Sequence, residues 1–143
     1  MLFNHAGVEV ERLTFHTLSG ALYAKRAGDG VWMDFPRNDP VAVEPIEPIL
    51  SALGLEAYDD FQYSITNQKL LVLLGDSGEV AGLQPDFDVL HSAENTLGWR
   101  GVIATEEGTG EYDFVSRYFA PWMGIDEDPV TRARTGLGGW GRR

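Results

Sequence analysis

The amino-acid sequence predicts an α+β fold, and three observations carry that reading. Strand-length segments with alternating apolar and polar residues come in pairs joined by turn residues. Two short segments, 46–53 and 86–93, instead place their apolar residues at helical spacing. Paired strands followed by a helix, repeated along the chain, fit an α+β domain and not a doubly wound parallel sheet.

The elements follow in order. Residues 13–17 and 21–25 read as strands, with Leu18-Ser19-Gly20 between them. Gly28-Asp29-Gly30 is a strong turn signal, so residues 31–35 complete a three-stranded meander. Four of the seven prolines (Pro36, Pro40, Pro45, Pro48) fall in residues 36–48. That density rules out a regular helix or central strand, and the stretch reads as a connection between two structural units. Ile46, Ile49, Leu50 and Leu53 then form the stripe of an amphipathic helix, with Gly54 as its C-cap. Residues 60–65 and 69–74 are expected to be strands joined through Thr66-Asn67. Residues 86–93 are expected to be a short helix with Phe87, Leu90 and His91 towards one face. Residues 100–105 and 112–118 are expected to pair across Gly108-Thr109-Gly110.

A chain of 143 residues fits one modest domain with a real core, and 43% hydrophobic and 11% aromatic residues are globular values. The net charge of -11 argues against nucleic acid as a partner, because a phosphate backbone would be repelled. No cysteine is present, which removes disulfides, thiolate metal ligands and thiol nucleophiles. The longest apolar run is far too short for a bilayer and no secretory signal is visible, so no membrane partner and a cytoplasmic location are expected.

Several patterns look chemical and have simpler readings. Gly75-Asp76-Ser77-Gly78 resembles a serine-protease nucleophile loop, but a triad needs a larger scaffold, and a turn between strand and helix is the better reading. Gly136 to Gly141 matches G-x-G-x-x-G, yet the chain provides no following helix to hold a pyrophosphate. His5, His16 and His91 have no metal-ligand spacing. Asp126-Glu127-Asp128 does not follow a calcium-loop pattern and reads as a solvated acidic turn. Trp99, Trp122 and Trp140 are expected to serve packing.

One passage is specific: Asp113-Phe114-Val115-Ser116-Arg117-Tyr118-Phe119-Ala120-Pro121, continuing through Gly124-Ile125-Asp126-Glu127-Asp128-Pro129-Val130-Thr131. It closely resembles the signature of the PhzF-like (phenazine-biosynthesis) isomerases, D-F-x-S-R-x-F-A-P leading into G-x-x-E-D-P-V-T. Leu13 to Gly20 resembles the family's F-x-T-x-S-G element, Met33-Asp34-Phe35-Pro36 its M-D-F-P, and Gln68-Lys69-Leu70-Leu71-Val72 a mid-chain strand. The resemblance runs from about Leu2 to Thr131 and covers about the middle half of a full-length member.

It implies a diaminopimelate-epimerase-like fold, in which two related α+β domains face each other across the active site. Residues 1–42 would be the end of the N-terminal domain, residues 43–131 the first part of the C-terminal domain, and residues 132–143 a divergent Arg/Gly-rich tail. It further implies a cofactor-independent isomerase or epimerase that moves a proton on a small carboxylated metabolite; separately, sheet edges left unpaired by an incomplete first domain would invite a homodimer. In the phenazine enzyme the substrate is a dihydro-hydroxyanthranilate and a glutamate of the N-terminal domain shuttles the proton. That glutamate lies upstream of anything assignable here, so no catalytic residue is expected in this chain. Asp128 and Thr131 are the expected substrate-binding residues: D-P-V-T opens a helix whose N-terminus holds the substrate carboxylate. Asp128 suits the N-cap and Pro129 the first helical position.

The pattern breaks after Thr131, where the family continues Gly-Ser-Ala-His and this chain has Arg132-Ala133-Arg134. The last twelve residues hold four Arg, four Gly and no acid, whereas all 22 acidic residues precede them. The chain therefore reads as a truncated or frameshifted member, inactive alone. The alternative is a non-catalytic binding or self-associating module. Sequencing the locus should reveal an in-frame Gly-Ser-Ala-His segment just downstream.

Overall fold

The computed structural model describes residues 12–18, 20–28, 30–35, 37–75, 79–108 and 113–129. It is mixed α+β, mostly strands with few helices. The chain divides into two compact units between Arg37 and Asn38.

In the first unit the alternation of the sequence becomes an antiparallel meander of β1 (Arg12–Thr17), β2 (Gly20–Ala27) and β3 (Gly30–Asp34), as expected. Cross-strand partners Leu13↔Ala24, Phe15↔Leu22 and Ala24↔Met33 gather apolar residues on one face. The other face carries two cation–aromatic contacts. The Arg12 guanidinium lies 4.7 Å from the Tyr23 ring centre, and Lys25 Nζ lies 4.9 Å from that of Trp32.

The second unit builds a six-stranded sheet in the order β4-β5-β6-β7-β8-β9. Its strands are β4 (Val41–Ala42), β5 (Asp60–Ser64), β6 (Lys69–Leu73), β7 (Gly101–Glu107), β8 (Phe114–Ala120) and β9 (Ile125–Glu127). Every neighbouring pair is antiparallel except β6 with β7. The helical elements are α1 (Glu47–Leu53), a single turn α2 (Glu79–Gly82), α3 (Phe87–Ser92) and a 3₁₀ turn (Pro121–Met123).

Two helix ends are set by residues the sequence offers. Gly54 takes a left-handed φ of 71° after α1 and donates its N–H to Ser51 O. Asp86 caps α3 by accepting from Val89 N at 3.0 Å. Leu90 of α3 is buried and Phe87 half-buried, but His91 is exposed and takes no part in that face.

The core lies on the helix side of the sheet. Leu70 and Val72 of β6 are fully buried with Val102 and Ala104 of β7, Phe119 of β8, and Ile49 and Leu53 of α1. Burying each large side chain contributes roughly 1.5–3 kcal/mol. Trp99 belongs to this core and meets the Trp122 ring edge-on at 6.0 Å, so both serve packing as expected.

The sequence reading and the structure differ in the short elements. The proline-rich connection contains β4, which tolerates its neighbours Pro40 and Pro45 because it is a two-residue edge strand. The second hairpin runs on to Glu107 and Ala120, since Glu107 pairs with Phe114. Asp126-Glu127-Asp128 is not a solvated acidic turn: Ile125–Glu127 is β9, and Phe119 pairs with Glu127.

Glu127 is drawn into the sheet by Arg117. The guanidinium donates twice to its carboxylate, each at 2.8 Å, and Nη1 also donates to the carbonyls of Leu83 (2.6 Å) and Val80 (3.3 Å). Glu106, only 4% exposed, accepts the N–H of Val80 at 3.0 Å. One arginine and two glutamates thereby link the α2 region to β7, β8 and β9. The Arg117 hydrogen bonds hold the Glu127 carboxyl below its ordinary range, and its charge adds to the effect. A depressed carboxyl contributes stability that is complete above about pH 5 and lost as pH falls through the folded value. Glu127→Gln should therefore cost about 1–2 kcal/mol at neutral pH, the pair being partly screened by solvent. Urea denaturation should show the gap between variant and wild type closing as the pH is lowered towards 3.

Candidate functional site

The residues of interest converge at one end of the second sheet, on the face opposite the helices. Lys69 opens β6 and is in register with Gly101, which opens β7. Tyr118 lies on β8 opposite Ile103. Its ring does not stand straight off the sheet but folds over Gly101: a Cβ added at Gly101 would sit 2.3 Å from Tyr118 Cε2 and 2.7 Å from Phe119 O. Gly101 is thus required by close approach and not by backbone conformation. The folded-over ring gives Lys69 its seat, with Nζ 3.8 Å from the ring centre.

Asp128 completes the cluster. It follows β9 directly, and its N–H donates to Tyr118 O at 3.0 Å. Its charge reaches both neighbours. Burial pushes the Lys69 ammonium below its ordinary value, against the opposing pull of Asp128. Burial raises the Tyr118 phenol, Asp128 raises it further, and Arg100 works in the other direction. The arrangement places a carboxylate, an ammonium and a phenol, from the residue after β9, from β6 and from β8, at one end of the sheet. Such groups can bind an organic acid and exchange protons with it.

The turn before Lys69 is itself unusual. Gln68 holds a positive φ of 53°, the single non-glycine residue to do so among the described residues. Its carbonyl accepts from Arg100 N at 2.6 Å, which ties the β5–β6 turn to the start of β7 and sets where Lys69 emerges.

Of the two residues expected to bind substrate, Asp128 falls in this cluster and Thr131 lies outside the described residues. So does the helix expected to open at Asp128-Pro129, together with Ser77, His5, Trp140 and the glycine run of the tail. His16 and His91 are exposed on separate elements. Among the described residues no group of three or more acidic or histidine side chains could hold a metal ion, and no helix is long and apolar enough to cross a membrane. Sequence reasoning missed Lys69, Gly101 and Tyr118 as a group. Lys69 and Tyr118 stood only inside matched strings, and the register that joins them to Gly101 is a tertiary fact.

A groove of about 660 Å³ beside α2 is a poorer site. It is lined by Leu55, Glu56, Glu79 and Gln84 among others, and no basic side chain is among its lining residues. Two carboxylates without a cation would repel an acidic ligand.

The close approach at Gly101 is directly testable. Gly101→Ala should destabilise the chain by about 1–3 kcal/mol, because the methyl meets a backbone carbonyl as well as the ring. Urea or thermal denaturation measures it. A stability equal to wild type would mean that the ring does not occupy the glycine's space.

Known proteins agree with the sequence signature. The family model described as phenazine biosynthesis-like protein (PhzC-PhzF) matches residues 1–142, so the match extends through most of the basic tail. Phenazine biosynthesis-like domain-containing protein 1 of Mus musculus is 41% identical over 142 residues, covering 92% of this chain and 49% of its own length. A Pseudomonas aeruginosa protein named as an uncharacterized isomerase is 45% identical over 121 residues, covering 85% of this chain and 43% of its own. The crystal structure of a PhzF-family phenazine biosynthesis protein from Enterococcus faecalis superposes with a TM-score of 0.77 at 32% identity, over 95% of this chain and 49% of that one. The chain thus spans about half the length of the relatives it matches. With its signature strand, its α+β fold and a family match along nearly its whole length, the chain belongs to the phenazine biosynthesis-like PhzC-PhzF family.

Proposed function

We propose that this chain carries one side of the active site of a cofactor-independent isomerase or epimerase, which shifts a proton on a small carboxylated substrate. The observation that carries the reading is the position of Asp128, held by the Tyr118 carbonyl beside Lys69 at the end of the sheet. In the family resemblance this aspartate belongs to substrate binding, and Thr131 shares that role. On this reading residues 1–42 close an N-terminal epimerase-like domain, residues 43–131 begin a C-terminal one in a diaminopimelate-epimerase-like fold, and residues 132–143 are a divergent tail.

Proton transfer needs an acid–base group poised over the reacting carbon. The resemblance assigns that task to a glutamate with no counterpart in this chain. The 143 residues are therefore proposed to bind substrate and to be inactive alone. Incubating the purified chain in deuterated water with a dihydro-hydroxyanthranilate-type substrate should give no isotope incorporation above background. Exchange that is abolished by Asp128→Ala would overturn the inactive reading while supporting the site.

The exposed surface of the first unit favours a second reading, a self-associating module. Phe15, Val31 and Met33 on one face of its sheet are all exposed, and Ala24 is the only residue buried there among those described. A three-stranded sheet with an open apolar face invites pairing with another copy. Size-exclusion chromatography should show dimers or larger species growing with concentration; a monomer at every concentration would reject this reading.

A further inference from the structure

We propose that Lys69, seated on the Tyr118 ring above Gly101, binds a carboxylate group of the substrate beside Asp128. The inference rests on the reading of Asp128 as a substrate-site residue, and deepens it by naming the cation that the site needs.

The argument begins with charge. The chain carries -11 overall, and Asp128 brings a carboxylate to the proposed site. Approach of an organic carboxylate there is opposed unless a cation sits on the same face, because like charges a few ångströms apart repel strongly where water is partly excluded. Arg117 is not that cation. It is spent on Glu127 and on two carbonyls of the α2 region. Lys69 sits where Asp128 is felt electrostatically, and its ammonium is half-buried.

The contacts of that ammonium point the same way. Among the described residues its one close partner is the face of the Tyr118 ring, and no carboxylate of a described residue lies within ion-pair distance. A ring face satisfies the positive charge in part but accepts none of the three N–H groups in the manner of an oxygen. The neighbours of Lys69 are unusual: Gly101 lies where a Cβ would meet the Tyr118 ring, and Gln68 directly before the lysine has a left-handed backbone. Burial lowers the lysine's proton affinity, so the position disfavours an empty charged state and rewards an anion that neutralises it. A carboxylate fits best, being planar, charged and able to accept two of the N–H groups while the ring holds the lysine stem.

The test uses the whole chain and two fluorescent probes of nearly equal shape, anthranilate and its neutral amide, followed by two-dimensional amide NMR at Gly101 and Tyr118. Anthranilate should shift both resonances saturably and the amide should not. Lys69→Met should weaken anthranilate roughly tenfold or more, as expected for loss of a charge-assisted contact, whereas Lys69→Arg should retain binding within about threefold. Equal binding of the two probes, no binding to wild type, or unchanged binding by Lys69→Met would each overturn the proposal. Asp128→Ala separates the two claims. If it alters binding and Lys69→Met does not, the substrate site stands and the lysine's role falls. If only Lys69→Met acts, the anion site stands and the role given to Asp128 falls.

Discussion

Because β6 and β7 run parallel, the chain must travel from Leu73 at one end of the sheet back to Gly101 at the other before it can pair again. A parallel pair cannot be closed by a tight turn, so the return needs a crossover of a dozen or more residues. Residues 74–100 are that crossover, and they supply most of what covers the helix side: α2, α3 and the loop that ends at Trp99. Asn95 secures the loop's end by bonding Trp99 through both its N–H and its carbonyl, at 2.8 and 2.7 Å. Tyr63 adds a bond from its hydroxyl to Leu97 O. The same pairing puts Lys69 and Gly101 side by side. The core on one face and the ionisable cluster on the other are therefore consequences of one strand register.

The two faces use their polar residues in opposite ways. On the helix side, Arg117, Glu127 and Glu106 meet complementary partners, and the result is a closed network that fixes α2. Such groups tolerate burial because their hydrogen bonds are made within the protein. On the opposite face Leu71, Ile103 and Ala120 form an apolar strip, and Lys69 is lodged at its end against Tyr118. Here, among the described residues, the ammonium meets a ring. Arg117 meets carboxylate and carbonyl oxygens, whereas Lys69, two strands away in the same sheet, meets an aromatic ring among the described residues.

How much was legible follows from the range of each interaction. The β1–β3 meander and α1 could be read because their signals are local: a period of two, a period of 3.6, and glycines at the turns. The elements missed are β4, α2, the 3₁₀ turn and β9, which are two to four residues long and too short to display a period. Glu127 illustrates the difficulty. In sequence it is one of three consecutive acids, and only the arginine ten residues earlier, brought opposite by the β8–β9 turn, makes it a strand residue. Asp128 was named because a family signature marks it. Lys69 and Tyr118 are 49 positions apart, so no window of sequence could join them.

The balance of charge also bears on why such a lysine would persist. A half-buried ammonium that has no oxygen partner among the described residues is a cost to folding, and an apolar side chain at the start of β6 would avoid that cost. The residues around Lys69 are unusual as well, with no side chain at residue 101 under the Tyr118 ring and a left-handed Gln68 directly before the lysine. Local rules broken together at one end of the sheet, beside the aspartate of the family signature, fit the binding role proposed for Lys69. A surface lysine kept only for solubility would require none of these concessions. Its ammonium would lie in water, its neighbours would be ordinary, and nothing in the register of β6 with β7 would depend on it.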